Sequence, residues 1–195
     1  MTATVGVLAL QGDYAAHEAA VSRLGFTARL VKTADALQDL DALLLPGGES
    51  TTMLKFLQSE ELGARMFEPL AAFCRSGKPV LGTCAGAILL ATKVSALTQD
   101  SLGVLDMHIE RNAYGRQQES FIATLEDAHE ALRGTEAVFI RAPVIRDTGA
   151  DVQTIASWRE HPVLVRSGPV WAATFHPELS ADSRVLELVL GDLLG

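Results

Sequence analysis

One cysteine in this chain sits where a nucleophile would. Gly82-Thr83-Cys84-Ala85-Gly86 follows a short apolar run and opens a helical one, which is the cysteine form of the G-x-S-x-G elbow. A residue on such a tight strand-to-helix turn is pushed into the open, and bulk at either flanking glycine would block the turn or the helix packing. The helix N-terminus that follows favours negative charge on the sulfur. The plainer alternative is a small buried hydrophobe in a glycine-containing turn. The order strand, G-x-C-x-G, helix favours the nucleophile. Cys74 lies in the helical stretch Phe73-Cys74-Arg75, has no such setting, and reads as structural.

A thiol nucleophile needs a base, and the base needs a third group to fix its ring. Five histidines are available. His176 ends an apolar strand-like run and is followed by Pro177-Glu178. Residues i and i+2 point to the same side of an extended chain. Pro177 is expected to hold the segment extended, so that Glu178 accepts a hydrogen bond from the imidazole. The competing reading is a solvated turn after an edge strand. A metal site lacks an H-E-x-x-H or Cys-x-x-Cys partner, so no metal is expected. His17, His108, His129 and His161 read as surface or packing residues, with His17 on the first helix.

Pro46-Gly47-Gly48-Glu49-Ser50 leaves a strand and enters a helix expected to be capped by Ser50 or Thr51. Its glycines let backbone N–H groups turn toward a small bound group. Such donors near Gly48 suit an oxyanion, and the N–H of Ala85 supplies another. A phosphate cradle competes, but the Gly-Lys-Ser/Thr end of a P-loop is missing and Glu49 would repel phosphate. A carboxylate there better suits a cation such as an amino acid's ammonium. A plain helix-start turn stays open as well.

These groups need a frame. Short apolar runs at Thr4 to Leu10, Phe26 to Val31, Ala42 to Leu45 and Lys78 to Gly82 alternate with helical patterns at Asp13 to Leu24, Thr51 to Leu57, Leu62 to Arg75 and Ala85 to Ala91. That alternation predicts βαβ units and a mostly parallel sheet covered on both faces. From about Gly103 to Phe175 strand-like runs dominate: Phe121 to Leu125, Ala137 to Ile140, Val152 to Trp158, Val163 to Val165 and Val170 to Phe175. Part of this half is expected to add antiparallel strands or hairpins to the main sheet, before a last helix from about Ser183 to Leu194. No repeat or linker interrupts the 195 residues, so one α/β domain over 1–195 is expected. In open parallel sheets ligands gather beyond the carboxyl ends of the strands, here after Leu45, Leu81 and Phe175.

Bulk composition narrows the partners. A formal net charge of −8 disfavours non-specific nucleic-acid binding. With 48% hydrophobic and 21% charged residues the chain reads as globular. No apolar run reaches the roughly 18–20 residues that cross a bilayer, and Val5 to Leu10 is too short for a signal-peptide core. Two cysteines in this length form no disulfide framework. A cytoplasmic protein with reduced thiols is the expectation.

The chain resembles the class I glutamine amidotransferases, with Cys84, His176 and Glu178 in the order of their triad. Within that class it resembles the glutaminase subunits of pyridoxal 5'-phosphate synthases. The likeness is carried by Gly6 to Gly12, Leu45 to Met53, Gly82 to Gly86, Glu110 to Gln117, Phe139 to Pro143 and Phe175 to Glu178. It implies a flavodoxin-like α/β fold and hydrolysis of L-glutamine to L-glutamate and ammonia. It implies glutamine contacts from Gly48, Glu49, Ser50, Arg111, Ile140 and Arg141, a guanidinium being suited to the α-carboxylate. It implies no cofactor. It places Gln11 near the docking site of a synthase partner, whose binding would reorient the Gly47–Gly48 peptide and complete the oxyanion hole. Neighbouring readings are a non-catalytic regulatory subunit of the synthase, an amidotransferase of another pathway, or a hydrolase with a cysteine elbow. A nucleotide-binding module lacks a complete phosphate motif.

Overall fold

A computed structural model of the chain describes residues 2–59, 66–95, 100–111 and 120–193. The first half alternates as its pattern predicts: β1 (Thr4–Leu8), α1 (Tyr14–Arg23), β2 (Thr27–Val31), β3 (Ala42–Leu45), α2 (Ser50–Gln58), α3 (Phe67–Cys74), β4 (Val80–Thr83) and α4 (Ala85–Leu90). The second half is β5 (Ala91–Ser95), β6 (Leu105–Glu110), β7 (Ser120–Leu125), β8 (Asp127–Ala128), β9 (Thr135–Ile140), β10 (Val144–Thr148), β11 (Gln153–Trp158), β12 (His161–Ser167) and β13 (Val170–Ala173), closed by α5 (Arg184–Val189). The expected start of the third helix at Leu62, most of the Glu110 to Gln117 stretch and the expected helix end at Leu194 lie outside the described residues.

The main sheet has eight strands in the order β2-β1-β3-β4-β13-β12-β11-β8. Its first five are mutually parallel and its last three antiparallel. Strand β3 shows why it is a centre. All four of its residues are buried, and they alternate between two cores. Leu43 and Leu45 join α2, α3 and α4 on one face. Ala42 and Leu44 join α1 and α5 on the other. A period-2 strand that is apolar on both sides must be sandwiched between helices.

Two features depart from the expectation. Strands β5, β6 and β10 form a separate three-stranded sheet, and β7 and β9 a two-stranded one. Of these, β5, β6 and β10 were not foreseen. The helix expected to reach Ala91 stops at Leu90, and Ala91 opens β5. No helix among the described residues is long and apolar enough to cross a membrane.

The parallel pairing of β4 with β13 matters most for the site. Thr83 lies opposite Ala173, so the chain leaves both strands at the same edge of the sheet. The Cys84 N–H donates to the Ala173 carbonyl at 2.8 Å. The His176 N–H donates to the Val138 carbonyl of β9, also at 2.8 Å, which ties the second half's hairpin to the same edge.

Candidate active site

Cys84 sits between β4 and α4 with φ 48° and ψ −102°. That is left-handed backbone at a non-glycine residue, held because everything around it is over-determined. The flanking glycines are required by close approach. A Cβ on Gly86 would stand 1.9 Å from the Leu45 carbonyl oxygen, and one on Gly82 would stand 2.6 Å from the Gly86 backbone. Helix α4 is thereby pressed against β3 and β4, and the sulfur is left at the mouth of a cleft, 3.8 Å from the Ile140 carbonyl oxygen.

His176 and Glu178 are both buried. The segment between them is not extended, as the sequence suggested. His176 has φ −110° and ψ 85°, and Pro177–Leu179 is a 3-10 turn with proline at its start. Proline's fixed φ suits the first position of a helical turn. The turn still brings His176 Nδ1 within 2.7 Å of Glu178 Oε1. His176 Nε2 is buried, and the ring shares the cleft with the Cys84 sulfur. Burial alone would push the imidazole down. Hydrogen bonding and charge from Cys84 and Glu178 outweigh it and raise His176 to about 10. Burial likewise pushes Glu178 up, but the charge and hydrogen bond of His17, followed by those of His176, hold its carboxyl at about 2.

The cleft in front of Cys84 encloses about 320 Å³. Gly48, Glu49, Ser50, Arg111, Ile140 and Arg141 line it together with Cys84 and His176. Glu178 stands behind His176, and Ala85 is the buried first residue of α4. Gln11 lies beside Gly48 and donates from Nε2 to the Glu49 carbonyl at 3.1 Å. Gly48 has φ +150°, and a Cβ there would meet Gln11 Nε2 at 2.5 Å, so a bare backbone is needed. The Gly47 carbonyl accepts from Asp13 N–H at 3.3 Å, and a Cβ on Gly47 would collide with the His176 ring.

The cap of α2 is Glu49 rather than Ser50 or Thr51. Its carboxylate accepts from Thr51 N–H at 3.1 Å and Thr52 N–H at 2.7 Å. Those bonds outweigh its slight burial and hold it at about 2. The same carboxylate pairs with Arg111 at 2.9 Å, and Arg111 also donates to Thr51 Oγ1.

Residues to which the sequence reading gave other roles, Asp13 as a helix cap and His17 as a surface or packing residue, also gather here. Asp13 does not cap α1 with its side chain; its carboxylate lines the cleft 3.8 Å from His176 Nδ1. Asp13, His176 and Glu178 therefore form a compact group of metal-capable side chains, but His176 Nδ1 is committed to Glu178. His17, read as a surface or packing residue, is fully buried against Thr83 and Glu178. The signal for it was present: His17, Ala20 and Val21 form the buried stripe of α1, and a histidine on such a stripe needs polar partners beneath it.

Residues 7–193 match the SNO glutamine amidotransferase family. The chain belongs to that family. A relative from Solibacter usitatus, named pyridoxal 5'-phosphate synthase subunit PdxT, is 48% identical over 97% of this chain and 98% of its own length. One of the same name from Halobacterium salinarum is 45% identical over 98% and 95%. A crystal structure described as a glutamine amidotransferase is 46% identical and superimposes with a TM-score of 0.88 over 98% of both chains. The chain is thus a glutamine amidotransferase with the α/β fold of that family.

Proposed function

We propose that residues 1–195 act as one glutaminase domain of a cytoplasmic pyridoxal 5'-phosphate synthase. It hydrolyses L-glutamine to L-glutamate and ammonia and hands the ammonia to a synthase partner. The observation that carries the chemistry is the buried Nδ1–Oε1 bond of 2.7 Å between His176 and Glu178, which leaves the other ring nitrogen for Cys84. The names of the full-length relatives carry the pathway.

In this reading the Cys84 thiolate attacks the side-chain amide carbon. N–H groups near Gly48 and from Ala85 hold the oxyanion. His176 protonates the leaving nitrogen and releases ammonia. It then takes a proton from water, whose attack on the thioester frees L-glutamate and the sulfur. Glu178 keeps the ring oriented. The Glu49–Arg111 pair offers opposite charges to the ammonium and α-carboxylate of an amino acid, with Ser50, Ile140 and Arg141 completing the wall.

Ammonia in water is mostly ammonium, which is no nucleophile, so a biosynthetic glutaminase gains from a partner that shields the product. Gln11 touches the glycine corner directly. Docking there would reach the Gly47–Gly48 peptide, now held through Asp13, and complete the oxyanion hole.

The deciding experiment is glutamate release from L-glutamine, with and without the cognate synthase, for wild type and Cys84→Ala. Turnover stimulated by the synthase and abolished by the substitution is expected. Equal turnover without the partner would remove the gating step, and no turnover in either condition would favour a regulatory subunit.

A further inference from the structure

We propose that His17 is a positioning residue for this site, resting on the Cys-His-Glu reading above. It braces the acid that orients the base against the strand that carries the nucleophile. His17 Nε2 lies 3.0 Å from Thr83 Oγ1 and 3.3 Å from Glu178 Oε1. Thr83 is the last residue of β4, bonded covalently to Cys84. The contacts run almost in a ring: Cys84 to Thr83 along the chain, Thr83 to His17, His17 to Glu178 and Glu178 to His176, which lines the same cleft as Cys84.

The chemistry of each atom fixes the direction of these contacts. The hydrogen bond of His17 Nε2 is with Thr83 Oγ1, and the same nitrogen stands 3.3 Å from Glu178 Oε1; an ionised carboxylate only accepts, so the tautomer with a proton on Nε2 serves both neighbours. Both histidines meet the same oxygen, Oε1, while Oε2 is buried without a partner. Among the described residues nothing else ties the carboxylate. Without His17 it is free to rotate and offer either oxygen to His176, and the ring loses its fixed orientation. Packing alone does not explain the residue. Its Nδ1 is buried and unsatisfied, so a leucine would fill the stripe of α1 at lower cost. A buried imidazole aimed at the acid of a triad is accounted for by the acid.

The test compares His17→Gln, whose amide nitrogen reaches about as far as the imidazole Nε2, with His17→Asn, which is polar but too short. Glutaminase kinetics in the synthase complex are read beside the thermal midpoint and the pH profile of Cys84 alkylation by iodoacetamide. For His17→Asn, kcat should fall on the order of tenfold to a hundredfold with KM little changed, as misplaced groups behave, and the alkylation profile should shift. His17→Gln should recover most of both. If His17→Asn fails to fold, Thr83→Val removes one anchor of the ring and should lower kcat several-fold with a shifted profile. Wild-type kcat and profile in that variant or in His17→Asn overturn the proposal, as does an equal loss in the two His17 variants that follows only the thermal midpoint. Turnover that survives Cys84→Ala would instead sink the triad reading itself, independently of His17.

Discussion

His176 and Glu178 carry opposite shifts, and each has a stability consequence of definite sign. Unfolding returns Glu178 from about 2 to its ordinary 4.5. Its contribution is therefore complete above 4.5 and lost as pH falls from there through about 2. His176 is raised from 6.5 to about 10. Its contribution is complete below 6.5 and lost as pH rises through about 10. Both are complete together only between those two ordinary values. Thermal unfolding of wild type and Glu178→Gln across the acid limb should show the wild type losing stability as pH drops while the variant follows a flatter curve. Parallel curves would mean that Glu178 is not held ionised by its neighbours. The same residues mark how far the sequence could be read at this scale. Cys84 was legible because an elbow has a fixed spacing. The burial of His17 was legible in the stripe of α1, but its role was not, because that depends on Thr83 and Glu178, which are distant in the chain and meet only after folding.

At the scale of elements, the seat of α4 is the sensitive joint. Gly86 lies against the Leu45 carbonyl with no room for a methyl group. Gly86→Ala must push α4 away from β3, and Cys84 moves with it. A loss of about 1–3 kcal/mol, the range for overpacking, is expected in denaturant unfolding, with glutaminase activity falling further than stability alone explains. Full activity would show that the elbow tolerates displacement. Elements of the first half were readable because doubly buried parallel strands are continuous apolar runs, as in β3. Strand β6 was missed although Leu105, Met107 and Ile109 alternate inward with more exposed neighbours, the period-2 signal of a half-covered strand. Strand β5 has no such rhythm and is defined by its pairing with β6. The Pro177 turn was misjudged because proline's φ serves an extended chain and the first step of a 3-10 turn equally.

For the whole molecule, the parallel half of the sheet and its helices followed from pattern, but strand order did not. That β13 inserts between β4 and β12 is a long-range pairing that no local signal encodes. This insertion has a consequence for synthesis. A ribosome delivers β1 to β4 and the cysteine elbow well before His176, so a growing chain holds the thiol before it holds a base. The base arrives only with β13, whose parallel pairing with β4 is non-local and hence among the slower events of folding. A chain truncated before Val170 should bind no glutamine-like electrophile at Cys84, as read by thioether formation, whereas the complete chain should. The acid and base of the site are thus supplied only after β13, the strand that seats them beside the cysteine elbow, has been made.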